Sequence, residues 1–163
     1  MATNGAPGEA ATAVPSLAVL AQYVKDFSFE NPAAPRSLRA GGQNPNIQVN
    51  VNVNARGMSE TDVEVEVKID GQAGEGADTV FRFDVVYAGV FRIEGVPAES
   101  RMPIVLIECP RLLFPFVRQI IADAVRNGGF PPLMLDPIDF AALYRQRLSE
   151  QAAASIPEGA VLS

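Results

Sequence analysis

The chain has 163 residues, of which 48% are hydrophobic and 20% charged, and its formal net charge is −6. This balance is typical of a folded domain with a modest core and excludes an intrinsically disordered chain. An acidic chain with only 13 scattered basic residues is a poor match for nucleic acid, because that binding requires clustered Lys and Arg to neutralise phosphates.

The two ends of the chain have little hydrophobic patterning. Residues 1–15 are mostly Ala, Gly, Thr and Pro and are predicted to form a disordered arm, and residues 152–163 are predicted to form a flexible tail. We therefore expect the domain to span residues 16–151. No basic residue precedes Lys25 and Cys109 is the single cysteine, so neither a secretory signal nor an intramolecular disulfide is expected. These features indicate a cytoplasmic protein.

Four segments of the first 95 residues have the alternating hydrophobicity of half-buried strands. The predicted strands are Leu17–Val24, Asn46–Ala55, Thr61–Asp70 and Asp78–Tyr87, the last with a short extension over Val90–Glu94. Residues 26–35 contain two prolines and are predicted to form an extended linker. Short turns between successive strands indicate antiparallel pairing.

After Pro103 the apolar spacing becomes helical. Leu113 and Val117 begin one apolar stripe, Leu112 and Phe116 begin the adjacent stripe, and a kink or break is expected at Pro110. Residues 127–129 end this helix, an extended apolar connector follows, and a last helix opens near a capping aspartate at position 139. Strands followed by helices predict an α+β fold, a four-stranded antiparallel sheet with helices packed on one face.

The sequence offers little for catalysis. The absence of His removes the commonest general base and metal ligand, and no nucleotide-binding motif is present. Gly71–Gly76 is interpreted as a hairpin loop, Glu64 and Glu66 as a solvated strand face, and Cys109 as a buried structural thiol. We expect no metal, no cofactor and no enzymatic activity.

Apolar side chains are abundant in or beside the proline-rich segments. They either cover the core or line a groove that binds extended peptide, and the sequence leaves both interpretations open. The residues concerned are Phe27, Phe29, Phe130, Leu133, Leu135, Ile138 and Phe140.

Five blocks of this chain resemble the SecB protein-export chaperone family, in the family's order and spacing. They are Lys25–Pro35, Tyr87–Ile93, Cys109–Pro115, Gly129–Leu133 and Leu135–Phe140. The resemblance implies a homotetramer built as a dimer of dimers, with neither cofactor nor catalysis. It also implies binding of unfolded precursor proteins in the cytoplasm and their delivery to the SecA export ATPase.

The resemblance also implies roles for individual residues. The peptide groove would be formed by the sheet, the connector and the last helix, which adds Leu143 and Tyr144 to the apolar residues named above. An acidic surface for SecA would be formed by Asp26, Glu30 and Asp84, although Arg82 stands where the family suggests an apolar residue. Subunit contacts would be made by Phe83, Val85 and Tyr87.

Three other functions remain to be separated from general export. The first is a SecB-like chaperone dedicated to one toxin–antitoxin client. The second is a protein that binds a small hydrophobic ligand in a closed pocket, and the third is a purely structural oligomer with no affinity for denatured protein.

Overall fold

The computed structural model describes residues 14–39 and 45–154. Nearly all of the predicted arm and residues 155–163 of the predicted tail lie outside these ranges. In chain order the elements are β1 (Ser16–Glu30), β2 (Ile47–Gly57), β3 (Asp62–Ala73), β4 (Phe81–Glu94), α1 (Ala98–Pro103), α2 (Cys109–Asn127) and α3 (Phe140–Ala154). The α+β class and the four-stranded sheet are confirmed.

The four strands form one antiparallel sheet in the order β1-β4-β3-β2. Strand β3 alternates strictly, with Val65 and Val67 fully buried and Glu66 between them on the other face. Because successive side chains of a strand point to opposite faces, this pattern gives the sheet one apolar and one polar face. The central strands β3 and β4 are flanked by two edge strands, β1 and β2.

Strand β1 continues to Glu30, so the predicted linker is wrong for residues 26–30, and only residues 31–35 lie outside the strand. Phe27 lies opposite Val85 and Phe29 opposite Phe83, so the strand stays paired as far as Glu30. The prolines that suggested a linker come after the last pair, where the chain turns. A proline that follows a strand leaves the hydrogen bonds of the sheet intact.

Helix α2 covers the apolar face at its centre. The predicted stripe of Leu113, Val117, Ile121 and Val125 is buried against β3 and β4. A Cβ atom at Gly89 of β4 would lie 2.8 Å from the Phe91 ring and 2.9 Å from a methyl group of Leu113, so both side chains would have to shift to admit a larger residue. The adjacent stripe of α2 faces away from the sheet.

The helical region continues through Pro110, where a kink or break was expected. Residues Ile104–Glu108 form a π-helical segment that leads directly into α2, and Pro110 lies near the start of that helix. Proline lacks an N–H group and crowds the carbonyl four residues earlier, here that of Leu106. The wider π-helical turn accommodates both effects without ending the helix. Among the described residues, no helix is long and apolar enough to cross a membrane.

A polar network ties the edge strand β1 to β3 on the uncovered face. The pairing register of β1 shifts between Val24 and Asp26, which makes Lys25 an extra residue. The Lys25 ammonium contacts Glu66 and donates to Glu64 at 2.9 Å, and the Tyr23 hydroxyl donates to the other Glu64 oxygen. The hydrogen bond from Tyr23, followed by that from Lys25, holds the pKa of Glu64 below its usual value.

We predict that Glu64→Gln lowers the free energy of unfolding at pH 7 by about 1–3 kcal/mol, because the variant loses charge-assisted hydrogen bonds. The pKa of Glu64 is lower in the folded than in the unfolded chain. Its contribution is therefore complete above the unfolded value near 4.5 and is lost as the pH falls through the folded pKa.

Urea unfolding at pH 7 and at pH 3 measures this effect, with Glu60→Gln in an exposed turn as the matched control. The difference between wild type and Glu64→Gln should shrink at pH 3. An equal difference at both pH values would contradict the assignment.

Candidate functional site

The connector between α2 and α3 lies over the apolar side of the sheet. Phe130, Leu133, Leu135 and Ile138 are half-buried and pack against the core. The connector is fixed at its start, where the Asn31 side-chain amide donates to the Gly128 carbonyl at 2.8 Å. At its end, the Ala142 backbone N–H donates to the carboxylate of residue 139 at 2.9 Å, so the predicted helix cap is confirmed.

An aromatic cluster lies beneath the first part of the connector. The Phe81 ring is 5.1 Å from the ring of Phe130 and 5.9 Å from that of Phe29, centre to centre. The Phe83 ring also stacks on Phe81, with 6.5 Å between ring centres. The structure thus joins two predicted groove residues, Phe29 and Phe130, through a residue of β4 that the prediction did not include.

A cavity of about 320 Å³ lies between α3 and the edge strand β2. Its apolar wall includes two predicted groove residues, Leu143 and Tyr144, and its rim is polar. Arg147 of α3 crosses to the strand and donates to the Val53 carbonyl at 2.8 Å. The full lining is Val51, Asn52, Val53, Asn54, Leu106, Leu143, Tyr144, Gln146, Arg147 and Glu150.

The predicted groove residues are not gathered in one groove. Phe140 is 1% exposed and packs edge-on against Phe114 at 6.1 Å, so it belongs to the core and has no surface to offer a ligand. Phe27 is 44% exposed but lies on β1, at the opposite edge of the sheet from the cavity. The connector residues run between these two edges.

The predicted acidic residues lie on the polar face of the sheet. Asp84 is opposite Ser28, and Glu30 is opposite Arg82, whose guanidinium approaches the Glu30 carboxylate to 3.4 Å. Asp26 lies two residues from Ser28 on the same strand and faces the same side, opposite Val86. Arg82, which was not expected at this position, therefore forms an ion pair with Glu30, one of the three predicted acidic residues.

A further acidic residue lies beside the predicted set. Asp70 of β3 lies directly opposite Asp84, and the Asn50 side-chain amide donates to its carboxylate at 3.1 Å. Both aspartates line a shallow depression of about 310 Å³ that reaches across all four strands. Asp70 continues the alternation of polar residues that contains Glu66 and Lys68. The period-2 pattern of the sequence therefore already indicated that Asp70 lies on this face.

The three predicted subunit-contact residues are buried within the chain itself. Val85 is 0% exposed, Phe83 is 2% and Tyr87 is 8%. Burial raises the pKa of the Tyr87 hydroxyl, which donates to the Gln22 side chain at 3.0 Å. Their side chains lie in the core rather than on a surface, so the predicted contact role stays a prediction.

The Cys109 thiol and the acidic side chains are the remaining groups that could take part in chemistry. Burial raises the pKa of the Cys109 thiol to about 12, so the thiolate needed for nucleophilic attack is scarcely populated at neutral pH. Within residues 14–39 and 45–154, no group of three or more acidic or cysteine side chains is arranged to hold a metal ion.

Comparison with known proteins identifies the family. The family described as "Preprotein translocase subunit SecB" matches residues 10–151. The protein-export protein SecB of Xanthobacter autotrophicus is 62% identical over 152 residues, which cover 93% of this chain and 96% of that protein. The SecB of Azorhizobium caulinodans is 58% identical and covers 93% of this chain and 94% of its own.

A solved structure shares the fold at much lower sequence identity. It is the SecB-like chaperone of Mycobacterium tuberculosis in complex with a peptide from an antitoxin, with a TM-score of 0.57 and 17% identity. The similarity covers 75% of this chain and 90% of that one. The sequence match over nearly the whole chain and the shared sheet-and-helix fold lead to one conclusion: the chain belongs to the SecB family.

Proposed function

We propose that this chain is a molecular chaperone of protein export. It binds unfolded precursor proteins in the cytoplasm, keeps them competent for translocation and delivers them to SecA. The observation that carries the proposal is the family match over residues 10–151. A half-buried apolar connector and a cavity beside an edge strand support it, because extended peptides commonly bind in apolar grooves along sheet edges.

Such a surface distinguishes unfolded from folded proteins by what they expose. An unfolded chain presents large apolar side chains, each of which contributes roughly 1.5–3 kcal/mol when it leaves water. Several weak sites along one client, here the cavity at α3 and the half-buried connector, raise the overall affinity through effective concentration. This kind of binding needs little sequence specificity, so one chaperone can hold many different precursors.

The acidic face of the sheet is the proposed contact with SecA. Asp26, Glu30 and Asp84 share this face, and a surface of one charge attracts a partner of the opposite charge. The ion pair between Arg82 and Glu30 reduces the charge that Glu30 offers. Asp84 lies directly across from a second aspartate, Asp70, so two carboxylates are close together there.

We further propose that the chain assembles as a dimer of dimers through two apolar surfaces. One is the open edge of β1, where Val19 is 42% exposed and Val24 47%. An unpaired edge of 15 residues is suited to pairing with a second copy. The other is the outer stripe of α2, where Leu112 is 43% exposed and Phe116 50%.

The three buried residues of β4, Phe83, Val85 and Tyr87, would then affect assembly indirectly, by supporting the surface of α2. The Tyr87 ring stacks on Phe116, with 6.2 Å between ring centres, so it supports the outer stripe of α2. Phe83 and Val85 continue the same buried row. A charge placed at Val85 would unfold the chain before it separated the subunits.

A dedicated toxin–antitoxin chaperone is the second candidate. The SecB-like chaperone of Mycobacterium tuberculosis was solved with an antitoxin peptide, and a similar groove in this chain would accept a single client equally well. At 17% identity that similarity shows the fold alone. Binding to SecA separates the two functions, because general export requires it.

We predict that Leu143→Ala weakens binding of an unfolded client about tenfold, since the variant loses apolar surface in the cavity. The measurement is titration of a reduced, permanently unfolded protein followed by calorimetry or fluorescence. Leu148→Ala, on the same helix and 46% exposed, is the control with unchanged affinity. Equal affinity of the two variants would exclude the cavity as a client site.

We predict that Asp84→Arg weakens SecA binding about tenfold at low salt, because it places a positive charge opposite a basic partner. The loss should diminish at high salt, where surface charges are screened. Surface-immobilised SecA provides the measurement. Glu99→Arg on α1, which makes the same charge change elsewhere, should bind as the wild type does, and a similar loss in both variants would argue against a specific surface.

We predict that Phe116→Asp reduces the assembly to half its mass, because a carboxylate would be buried in the contact between pairs. Since Phe116 is half-exposed in the single chain, the subunit itself should still fold. Light scattering after size exclusion measures the mass, and Arg111→Asp on the same helix is the control. An unchanged mass for Phe116→Asp would place the contact elsewhere.

A further inference from the structure

Strand β2 is an edge strand with almost none of the usual protection. Its sequence, Ile-Gln-Val-Asn-Val-Asn-Val-Asn-Ala-Arg-Gly, holds one charged residue and no proline. It pairs with β3 from Ile47 to Gly57 without a register shift. Long, regular edges of this kind readily accept a further strand, and proteins usually block them with charges, prolines or bulges.

The outward backbone groups of β2 belong to its odd-numbered residues. The Asn46 carbonyl accepts from Gly74 on the β3 side, and backbone groups alternate in direction along a strand. The groups of Ile47, Val49, Val51 and Val53 therefore point away from the sheet. Their side chains share the face of the buried Val67, since Val53 is opposite that residue.

One side chain occupies an outward backbone group of this edge, at Val53. The Arg147 guanidinium donates to the Val53 carbonyl at 2.8 Å, across 94 residues of sequence. Within residues 14–39 and 45–154, it is the only side chain hydrogen-bonded to an outward backbone group of β2. Arg147 follows Leu143 by one helical turn, so the same face of α3 lines the cavity and blocks the edge.

We propose that Arg147 guards the edge of β2 and that a client segment displaces it by adding as an antiparallel strand. The inference rests on the proposed chaperone function and adds how that site is regulated. The ligand is an unfolded segment with apolar side chains at alternate positions. These side chains would point into the cavity beside Leu143 and Tyr144, while its backbone would bond to the outward groups of β2.

The guard has two consequences. A client first meets the open half of the edge, where Ile47 is 43% exposed, and reaches Val53 only when the guanidinium leaves. Short or weakly bound segments therefore fail to displace it, which favours long unfolded chains. The guard also keeps the β2 edges of two molecules from pairing with each other in the absence of a client.

The test compares Arg147→Ala with Arg145→Ala, which removes an equally charged side chain from an exposed position of the same helix. The probe is a ten-residue peptide with alternating Val and Ser. A second probe carries N-methyl groups at the Val positions, which cannot donate to β2. We expect Arg147→Ala to bind the plain peptide about five- to tenfold more tightly than the wild type, and the methylated peptide without gain.

Three outcomes would overturn the proposed role of Arg147. The Arg147→Ala and Arg145→Ala variants could bind the plain peptide equally, or Arg147→Ala could bind it more weakly than the wild type. Arg147→Ala could also gain equally for both peptides. Weaker binding would mean that the arginine only holds α3 in place. If wild type and both variants bind neither peptide nor any unfolded protein, the proposed function itself fails.

A second measurement uses the wild type alone. On addition of the plain peptide, amide hydrogen exchange should slow at the outward N–H groups of Val51 and Val53, and it should stay unchanged at the inward groups of Asn52 and Asn54. Uniform slowing along β2, or none, contradicts strand addition even if Arg147→Ala does not fold.

Discussion

The sheet is wider than the helical layer that covers it, and most of the functional surface follows from that mismatch. Helix α2 and the π-helical segment bury the central strands, where Val65, Val67 and Val85 are 0% exposed. Three apolar side chains of β1 on the same face have no such cover: Val19, Val24 and Phe27 are 42%, 47% and 44% exposed. A single chain cannot bury them all, so the remaining apolar area is available to other copies and to clients.

The other face of the sheet remains uncovered because it is polar. The Asn residues of β2 and the charged residues of β3 and β4 fall on it by simple alternation. Asp70 and Asp84 lie directly opposite each other, a placement that destabilises a sheet. A basic partner would offset that repulsion, which agrees with the proposed contact with SecA on this face.

Much of this architecture can be predicted from the sequence. The alternation in β2 and β3 gives their bounds to within a few residues. The two apolar stripes of α2 predict a helix that packs on the sheet with one stripe and leaves the other stripe for a different contact. The second half of β1 was missed because nearby prolines outweighed the alternation of Phe27 and Phe29 against Ser28. Strand order is not encoded in local patterns, so the separation of Phe27 from the cavity required the structure.

The same limit applies to individual side chains. Phe140 and Leu143 look alike in the sequence, but only the first packs against Phe114 in the core. Nor does any pattern connect Arg147 with Val53, because their contact depends on where α3 crosses the sheet edge. Local spacing identifies apolar faces, and tertiary packing then decides which of their members reach a ligand.

The two edges of the sheet differ in what they expose, and this difference would separate the proposed assembly from the proposed client binding. The β1 edge carries exposed apolar side chains and a register fixed by Lys25 and Glu64, which suits permanent pairing with an identical strand. Among the described residues, one side-chain hydrogen bond reaches the outward backbone of the β2 edge, and Arg147 donates it to the Val53 carbonyl. A permanent partner needs a large, fixed surface, whereas a client that must later be released needs one that closes again when it leaves. A contact that a passing peptide can replace, and that re-forms without it, meets that need.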